Sequence, residues 1–501
     1  MTARFLIRLE KGDSLLTTKI ETFNNFINGE WTESVTNKLF YSVNPANTED
    51  VVGAFQASNE EDVKLAIESA SKAFPTWAKT APSKRAAILN RAANILEQNA
   101  DQYAEELTRE EGKHVKDAKN EVIRSAQTLR FYAVEGQTLT GETFPNDDPN
   151  MKVSTEREPL GVVSVITPWN FPLSIPARKI APALITGNTV VFKPSSDTPL
   201  IAVRLVEALQ MAGIPNGVIN FVTGKASDVG DLLVTHPSIK AITFTGSTAA
   251  GEDIHKKSSF TTRTQMELGG KNPLIVMDDA DIDLAVDLTV NGGFSLTGQA
   301  CTGTSRVIVL KSVKEKFVQK LIEKTASLKI GNGFEEGVKI GPLANEKQLK
   351  NVLKYIEIGK EDGADLVYGG KRIEAGDFEN GYFVSPAIFT NVKSNHRIAK
   401  EEIFGPVVAV IEVDSYEEAI KIANDVEYGL SAGIVTNNLK IANQFTKDIQ
   451  AGTVKVNRTT TGNLINAPFG GLKKSSTSTF RESGRVGLEF FTQLKTVYIG
   501  Y

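Results

Sequence analysis

Between Leu160 and Ser247 the chain repeats one pattern four times. Short runs rich in β-branched residues, LGVVSVITP (160–168), NTVVFKPS (188–195), VINFVTG (218–224) and KAITFTGS (240–247), each end in Gly, Pro or Ser. Segments of helical length separate them, of which LIAVRLVEALQMAG (200–213) is the clearest. Apolar runs this short, bounded by breakers and spaced by helical stretches, read as buried strands of a mostly parallel sheet with crossover helices. The expected fold class is α/β and doubly wound, and in such sheets ligands bind beyond the carboxyl ends of the strands.

The rest of the chain is organised around that block. Residues 60–113 read as helix, with Leu89, Ala92, Ala93 and Leu96 at three- and four-residue steps forming one apolar face. A second α/β block begins near Asn272 and includes DSYEEAIKIAND (414–425), where Ser415 and Glu418 have capping-box spacing. The tail TQLKTVYIGY (492–501) reads as a closing strand. A chain of 501 residues is too long for one core. We place one domain before about residue 271 and another after it, with 140–158 and the tail fitting neither. The opening MTARFLIRLEKGDSLLTTK carries early arginines, but Glu10 and Asp13 interrupt it, and transit peptides are poor in acids. Residues 1–24 are therefore read as an extension ahead of a fold that starts near Asn25.

A formal net charge of −4 without any basic stripe argues against nucleic acid as a partner. No apolar run reaches the roughly 18 residues of a membrane span. The single cysteine, Cys301, excludes an internal disulfide and points to a cytoplasmic setting.

That cysteine lies in NGGFSLTGQACTGTSRV (291–307), between Gly298 and Gly303 and among small polar residues. A free cysteine is commonly a small core hydrophobe. This setting suits a thiol that a ligand approaches closely, and a thiol nucleophile needs help to ionise. None of the four histidines stands in a motif-like context, so Cys–His chemistry has little support. Glu267, in QMELGGKNP (265–273), is flanked by Met266 and Leu268 and followed by two glycines. A solvated cap is one reading; a partly buried carboxylate acting as a base near neutrality is the other. Asn170, in TPWNFPLSIPARKIAPAL (167–184), presents an amide donor directly after a strand, where an oxyanion could be held. Arg178 in the same segment either snorkels to water or meets an acidic ligand. FTGSTAAG (244–251) is a strand entering a helix through Gly-x-x-x-x-Gly. Its backbone N–H groups suit a pyrophosphate, but it lacks the three-glycine dinucleotide fingerprint. No metal-ligating cluster is apparent.

Taken in order, TPWNFPL, GNTVVFKPS, FTGST, MELGGKNP, GQACT, EEIFGPV (401–407) and PFGGLKKS (468–475) resemble the aldehyde dehydrogenase superfamily from Asn25 onward. The resemblance implies that fold: a Rossmann-like dinucleotide domain (25–139 and 159–271), an α/β catalytic domain (272–476) and a small β oligomerisation arm (140–158 and 477–501). It further implies that Cys301 attacks the aldehyde to give a thiohemiacetal and then a thioester. Asn170 would hold the oxyanion and Glu267 would activate the hydrolytic water. Cofactor contacts fall, by resemblance, on Ile166, Thr167, Trp169, Lys193, Ser196, Gly224, Gly230, Phe244, Gly246, Ser247, Leu268, Glu402 and Phe404.

One departure concerns the cofactor. Many NAD-preferring members carry glutamate three residues after the lysine of the KP motif, whereas KPSSD places Ser196 there. Loss of that carboxylate removes repulsion toward a 2′-phosphate, and Lys193 could pair with one, so NADP is expected to serve at least as well as NAD. Arg178 falls where semialdehyde dehydrogenases carry a carboxylate-binding arginine, which implies an acidic small-molecule aldehyde. VNRTTTG (456–462) and KKSSTSTFRESG (473–484) look most like the branch that oxidises 2,5-dioxopentanoate to 2-oxoglutarate, with Arg458 as a second polar contact. Succinate semialdehyde is the near alternative, although Ser295 stands where some enzymes acting on it place another arginine. A non-phosphorylating glyceraldehyde or glyceraldehyde-3-phosphate dehydrogenase, a coenzyme-A-acylating enzyme and a non-catalytic structural relative complete the set. The family's habit of dimers or tetramers implies a homo-oligomer.

Overall fold

The computed structural model describes residues 20–477 and 479–501, so residues 1–19 of the expected N-terminal extension lie outside the described residues. Two seven-stranded sheets form its centre. In the first, the strands run Arg263–Glu267, Ile239–Thr245, Val162–Ile166, Thr189–Lys193, Ile219–Phe221, Asn25–Ile27 and Glu30–Thr32. The first five are mutually parallel and the last two are antiparallel. The four runs recognised in the sequence are thus four of the five parallel strands, and their continuous hydrophobicity has a structural cause. Along Thr189–Lys193, Val190 and Phe192 enter one core while Val191 enters the opposite one. A strand covered by helices on both faces has no polar side to show.

The stretch 60–113 resolves into three helices, Glu60–Ala78, Pro82–Gln98 and Ala100–Glu111. Pro82 starts the second, and Gly112, at φ 94°, ends the third. Leu89, Ala92, Ala93 and Leu96 are all buried in the first core, as their spacing requires.

The second sheet runs Asp365–Gly369, Ala387–Thr390, Val407–Val413, Thr304–Leu310, Asn272–Val276, Ser431–Val435 and Thr453–Val456. All of its pairings are parallel except the first. Helix Tyr416–Asn424 flanks it, and the Ser415 hydroxyl accepts from Glu418 N at 3.2 Å. The return bond of the capping box goes one residue early: Glu418 Oε2 accepts from Asp414 N at 2.8 Å.

A third sheet joins Thr492–Gly500, Met151–Pro159 and Thr143–Phe144 in antiparallel register, from Thr492 opposite Pro159 to Gly500 opposite Met151. Two boundaries differ from expectation. Thr22–Phe23 already pairs with Ala54 and Phe55, so the fold begins before Asn25. Leu488, Phe490 and Phe491, expected in the arm, are buried in the first core, because three such side chains have more apolar surface to hide than a small ribbon can cover. Among the described residues, no helix is long and apolar enough to cross a membrane.

Sequence order places the site. From Val162–Ile166 the chain moves outward through the next two parallel strands, then returns to lay Ile239–Thr245 on the other side of the first. The strand order reverses there, and such a switch point opens a crevice at the carboxyl ends. Glu267 ends the outermost strand of this sheet, and five residues later Asn272 starts a central strand of the second. The space between the sheets is therefore walled by the carboxyl ends of one and the amino ends of the other.

Candidate active site

Cys301 sits just before strand Thr304–Leu310, on a loop whose backbone is heavily constrained. Helix Ile282–Phe294 stops, and Leu296, Thr297 and Gly298 follow with φ of 53°, 54° and 69°. Gly298 is required twice over: its φ is positive, and a Cβ there would lie 2.2 Å from Gly405 O. The turn is then tied from three directions. Asn272 Nδ2 donates to Cys301 O at 2.8 Å and to Gly303 O at 2.9 Å, and the Thr460 hydroxyl donates to Thr302 O at 2.7 Å. Asn170 Nδ2 donates to Gln299 O at 2.9 Å. That bond uses one of its two amide hydrogens and holds the amide against the cysteine loop.

The thiol opens on a cavity of about 340 Å³ whose wall also includes Glu267, Phe469, Arg178 and Arg124. Burial pushes the Cys301 thiol up to about 12; Arg178 opposes the shift, while Glu402 and Glu267 add to it. Neither carboxylate oxygen of Glu267 has a hydrogen-bond partner among the described residues. Burial first, and the charge of Glu482 second, hold its carboxyl well above the usual range, against the pull of Lys179, Arg481 and Arg178. A carboxylate so placed holds its proton more tightly than an ordinary carboxyl and is a stronger base once that proton leaves.

Glu482 was not singled out from the sequence. It is 2% exposed, and its carboxylate lies 2.9 Å from Lys179 Nζ and 3.7 Å from Arg178 Nη1. Lys179 also donates to the Thr243 hydroxyl at 2.9 Å. Burial alone would raise the Glu482 carboxyl, but the two cations outweigh it and hold it below the ordinary value.

The expected substrate arginines fare differently. Arg178 faces the cavity, its guanidinium 5.5 Å from the Phe469 ring centroid. Arg458 is exposed and is not part of the cavity wall. The strand Thr453–Val456 ends just before it and turns the arginine to solvent, while Thr461, Gly462 and Asn463 from the same loop reach the cavity. The second guanidinium of the wall is Arg124, on helix Val115–Glu135, hydrogen-bonded to the Asn463 carbonyl. Burial and then the charge of Arg178 lower its pKa, so the two cations repel across the cavity. Two guanidiniums in that relation favour an anionic ligand. The helical stretch read from the sequence stops at residue 113, short of this helix, and no local motif marks Arg124.

Most of the remaining predicted residues gather at the carboxyl ends of the first sheet's parallel strands. Ile166 ends one central strand and Thr167 and Trp169 follow it, while Gly246 and Ser247 follow its neighbour. Ser247 caps helix Thr248–Lys257, its hydroxyl accepting from Ala250 N at 3.4 Å. Phe244, Leu268 and Met266 form a small apolar cluster against Ile166. A Cβ on Gly246 would strike the Phe244 ring at 2.4 Å, so only glycine lets the backbone lie on that cluster. Lys193 is buried, its Nζ 2.7 Å from the Pro194 carbonyl, and burial lowers its pKa to about 8. The Ser196 hydroxyl donates to Gly224 O at 2.8 Å. Gly230 lies on helix Ala226–Thr235, where an added Cβ would meet only Ala226 Cβ, at 4.0 Å.

On the far wall, Glu402 Oε1 accepts from Gly270 N at 2.9 Å, and burial raises its pKa to about 7. Phe404, at φ 59°, meets Trp169 edge-on with ring centroids 5.4 Å apart. A nicotinamide dinucleotide fits this set: an ammonium for phosphate, a helix start for pyrophosphate, a carboxylate for a ribose diol and an aromatic wall. The Thr167 hydroxyl, buried without a partner among the described residues, is a further polar group for such a ligand to satisfy.

Comparison with known proteins agrees with this geometry. The chain is 46% identical over 483 residues to an alpha-ketoglutaric semialdehyde dehydrogenase of Bacillus subtilis, covering 96% of this chain and 99% of that one. It is 47% identical over 465 residues to a 2,5-dioxopentanoate dehydrogenase of Saccharolobus solfataricus, covering 92% and 96%. Among solved structures, betaine aldehyde dehydrogenase of Staphylococcus aureus in complex with NAD+ superposes with a TM-score of 0.92 at 34% identity, covering 95% of this chain and 94% of that one. An NADP-dependent enzyme of E. coli does so with a TM-score of 0.92 at 35% identity, covering 96% and 98%. The profile of the aldehyde dehydrogenase family matches residues 31–497. A thiol and a raised carboxylate on one cavity, next to a dinucleotide crevice, are the equipment for oxidising an aldehyde, and the chain belongs to the aldehyde dehydrogenase family.

Proposed function

We propose that the enzyme oxidises 2,5-dioxopentanoate to 2-oxoglutarate, with Cys301 as nucleophile. The observation that carries the substrate is the pair of guanidiniums, Arg124 and Arg178, on the wall of the cavity that holds Cys301 and Glu267. A carboxylate at that end of an ω-aldehyde leaves its carbonyl free to reach the thiol. The naming of relatives at 46% and 47% identity supports the same choice.

In this reading the Cys301 sulfur attacks the aldehyde carbon, and its proton leaves through the neighbouring carboxylates. The Asn170 amide and the loop backbone receive the developing oxyanion. The chemistry that a bound nicotinamide would supply is hydride acceptance, which turns the thiohemiacetal on Cys301 into a thioester. Glu267 then takes a proton from water, which attacks the thioester carbon, frees the acid and returns the thiol. Glu402, Phe404 and Trp169 would hold the ribose and ring, and Lys193 and Ser196 would meet the adenosine end. With serine rather than a carboxylate at 196, NADP serves at least as well as NAD. The third sheet is the arm of a homo-oligomer, and the lone free thiol suits a reducing cytoplasm.

The test is a kcat/KM panel of 2,5-dioxopentanoate, succinate semialdehyde, glutarate semialdehyde, glyceraldehyde and an aliphatic aldehyde, each with NAD and NADP. The dioxo acid should lead. A lead for the aliphatic aldehyde would remove the role given to the arginines.

A further inference from the structure

Lys113 is used nowhere in the chemistry above, yet its ammonium is buried against the site. It follows helix Ala100–Glu111 and Gly112, and its side chain is 1% exposed. Its Nζ donates to Glu121 Oε2 at 2.6 Å and to the backbone carbonyl of Asn170 at 2.8 Å. It also stands 4.8 Å from the Phe171 ring centroid, with a Glu111 oxygen 3.8 Å away. The other oxygen of Glu121 accepts from Leu173 N and Ser174 N, both at 3.0 Å. Those amides open helix Ser174–Ile185, the helix that carries Arg178 and Lys179.

One ammonium–carboxylate pair therefore grips the segment Asn170–Ser174 at both ends. At its first residue the pair holds the carbonyl, while the side-chain amide of the same residue reaches the cysteine loop at Gln299 O. Stability alone would not call for this, since a packed apolar pair often serves a core as well as a buried ion pair does. What an apolar pair lacks is direction. Only a donor at position 113 can fix the Asn170 carbonyl, and only a two-oxygen acceptor at position 121 can bind that donor and two helix amides together.

We propose that Lys113 and Glu121 are positioning residues that aim the Asn170 amide at the reacting carbonyl, through its backbone, and set the start of the Arg178 helix. The inference rests on the reading of Asn170 as the oxyanion donor. Misplacement of a donor by a fraction of an ångström weakens transition-state binding and leaves ground-state binding of the cofactor alone.

The experiment is a double-mutant cycle on the full-length enzyme: Lys113→Met, Lys113→Arg and Glu121→Gln, each with and without Asn170→Ala. The readouts are kcat, cofactor KM, the burst rate of thioester formation and Tm. With Asn170 present, Lys113→Met should lower kcat and the burst rate about 10- to 100-fold, with cofactor KM unchanged. With Asn170→Ala in place the same change should cost no more than about twofold, because residues acting as a unit are not additive. Lys113→Arg, which keeps a donor, should restore most of the burst rate. Equal fold-losses in both backgrounds would show a purely structural pair and overturn the proposal. If Asn170→Ala alone left the burst rate intact, the reading of Asn170 would fall instead, and the two failures are distinct. Should Lys113→Met not fold, Glu121→Gln with and without Asn170→Ala decides on the same criterion.

Discussion

Lys179 and Glu482, 2.9 Å apart and both buried, form an ion pair beside a carboxylate that has no hydrogen-bond partner among the described residues, that of Glu267. The pair acts on Glu267 with opposite signs: the charge of Glu482 raises its pKa and that of Lys179 lowers it. In the mechanism proposed above thioester hydrolysis uses the ionised form, so its rate should rise with pH at a point well above that of an ordinary carboxyl.

Substituting Glu482→Gln removes the repulsive charge. The rising limb of hydrolysis should move to lower pH, because a like charge beside the carboxyl is gone. Lys179→Met should move it the other way. The check is a pH profile of single-turnover deacylation. A limb that stayed in place in both variants would detach Glu267 from the step.

Arg124→Ala and Arg178→Ala should each lower kcat/KM for the acidic aldehyde by about 10- to 100-fold, the usual worth of a hydrogen bond to a charged group. The aliphatic aldehyde should change by no more than about threefold. Only Arg178→Ala should also disturb the pH profile, because only Arg178 contacts Glu482. Parallel losses on both aldehydes would mean that the arginines shape the cavity and do not bind substrate.

Gly269 has no room for a side chain on one side: an added Cβ would lie 2.1 Å from Glu402 Oε2. The atom met is the tip of a flexible side chain, so Gly269→Ala should fold and displace Glu402. Cofactor KM should rise about tenfold, as expected when one positioning contact is lost, while alkylation of Cys301 keeps its rate. Unchanged cofactor KM would remove Glu402 from the cofactor site.

Ser196→Glu should bring a carboxylate beside the adenosine ribose and shift the ratio of kcat/KM for NAD over NADP by about tenfold or more toward NAD. Steady-state kinetics with both cofactors decides it, and an unchanged ratio would take the discrimination away from position 196.

Residues that announce themselves by local context were legible: Cys301 among glycines, Glu267 before two glycines, Asn170 just past a strand. So were the parallel strands, whose two buried faces leave no polar alternation. Glu482, Arg124 and Lys113 were not legible, because each acts only through partners that tertiary folding brings to it. Glu482 meets Lys179 across most of the chain's length, and Lys113 meets Asn170 between a helix end and a strand end. Arg458 illustrates the converse. Its loop does reach the cavity, but a single turn decides which residues face inward, and sequence spacing does not fix that turn.

The left-handed stretch at Leu296 and Thr297 has a consequence for engineering. Such a conformation costs a non-glycine residue about 1–2 kcal/mol, and two occur in succession one turn before the thiol. Asparagine or glycine there would relieve the cost and raise resistance to heat. It would do so by loosening the loop that carries the sulfur and that the Asn170 amide grips at Gln299. In this enzyme, thermal robustness and catalytic order are in tension over the same few torsion angles, and stability is better sought elsewhere in the fold.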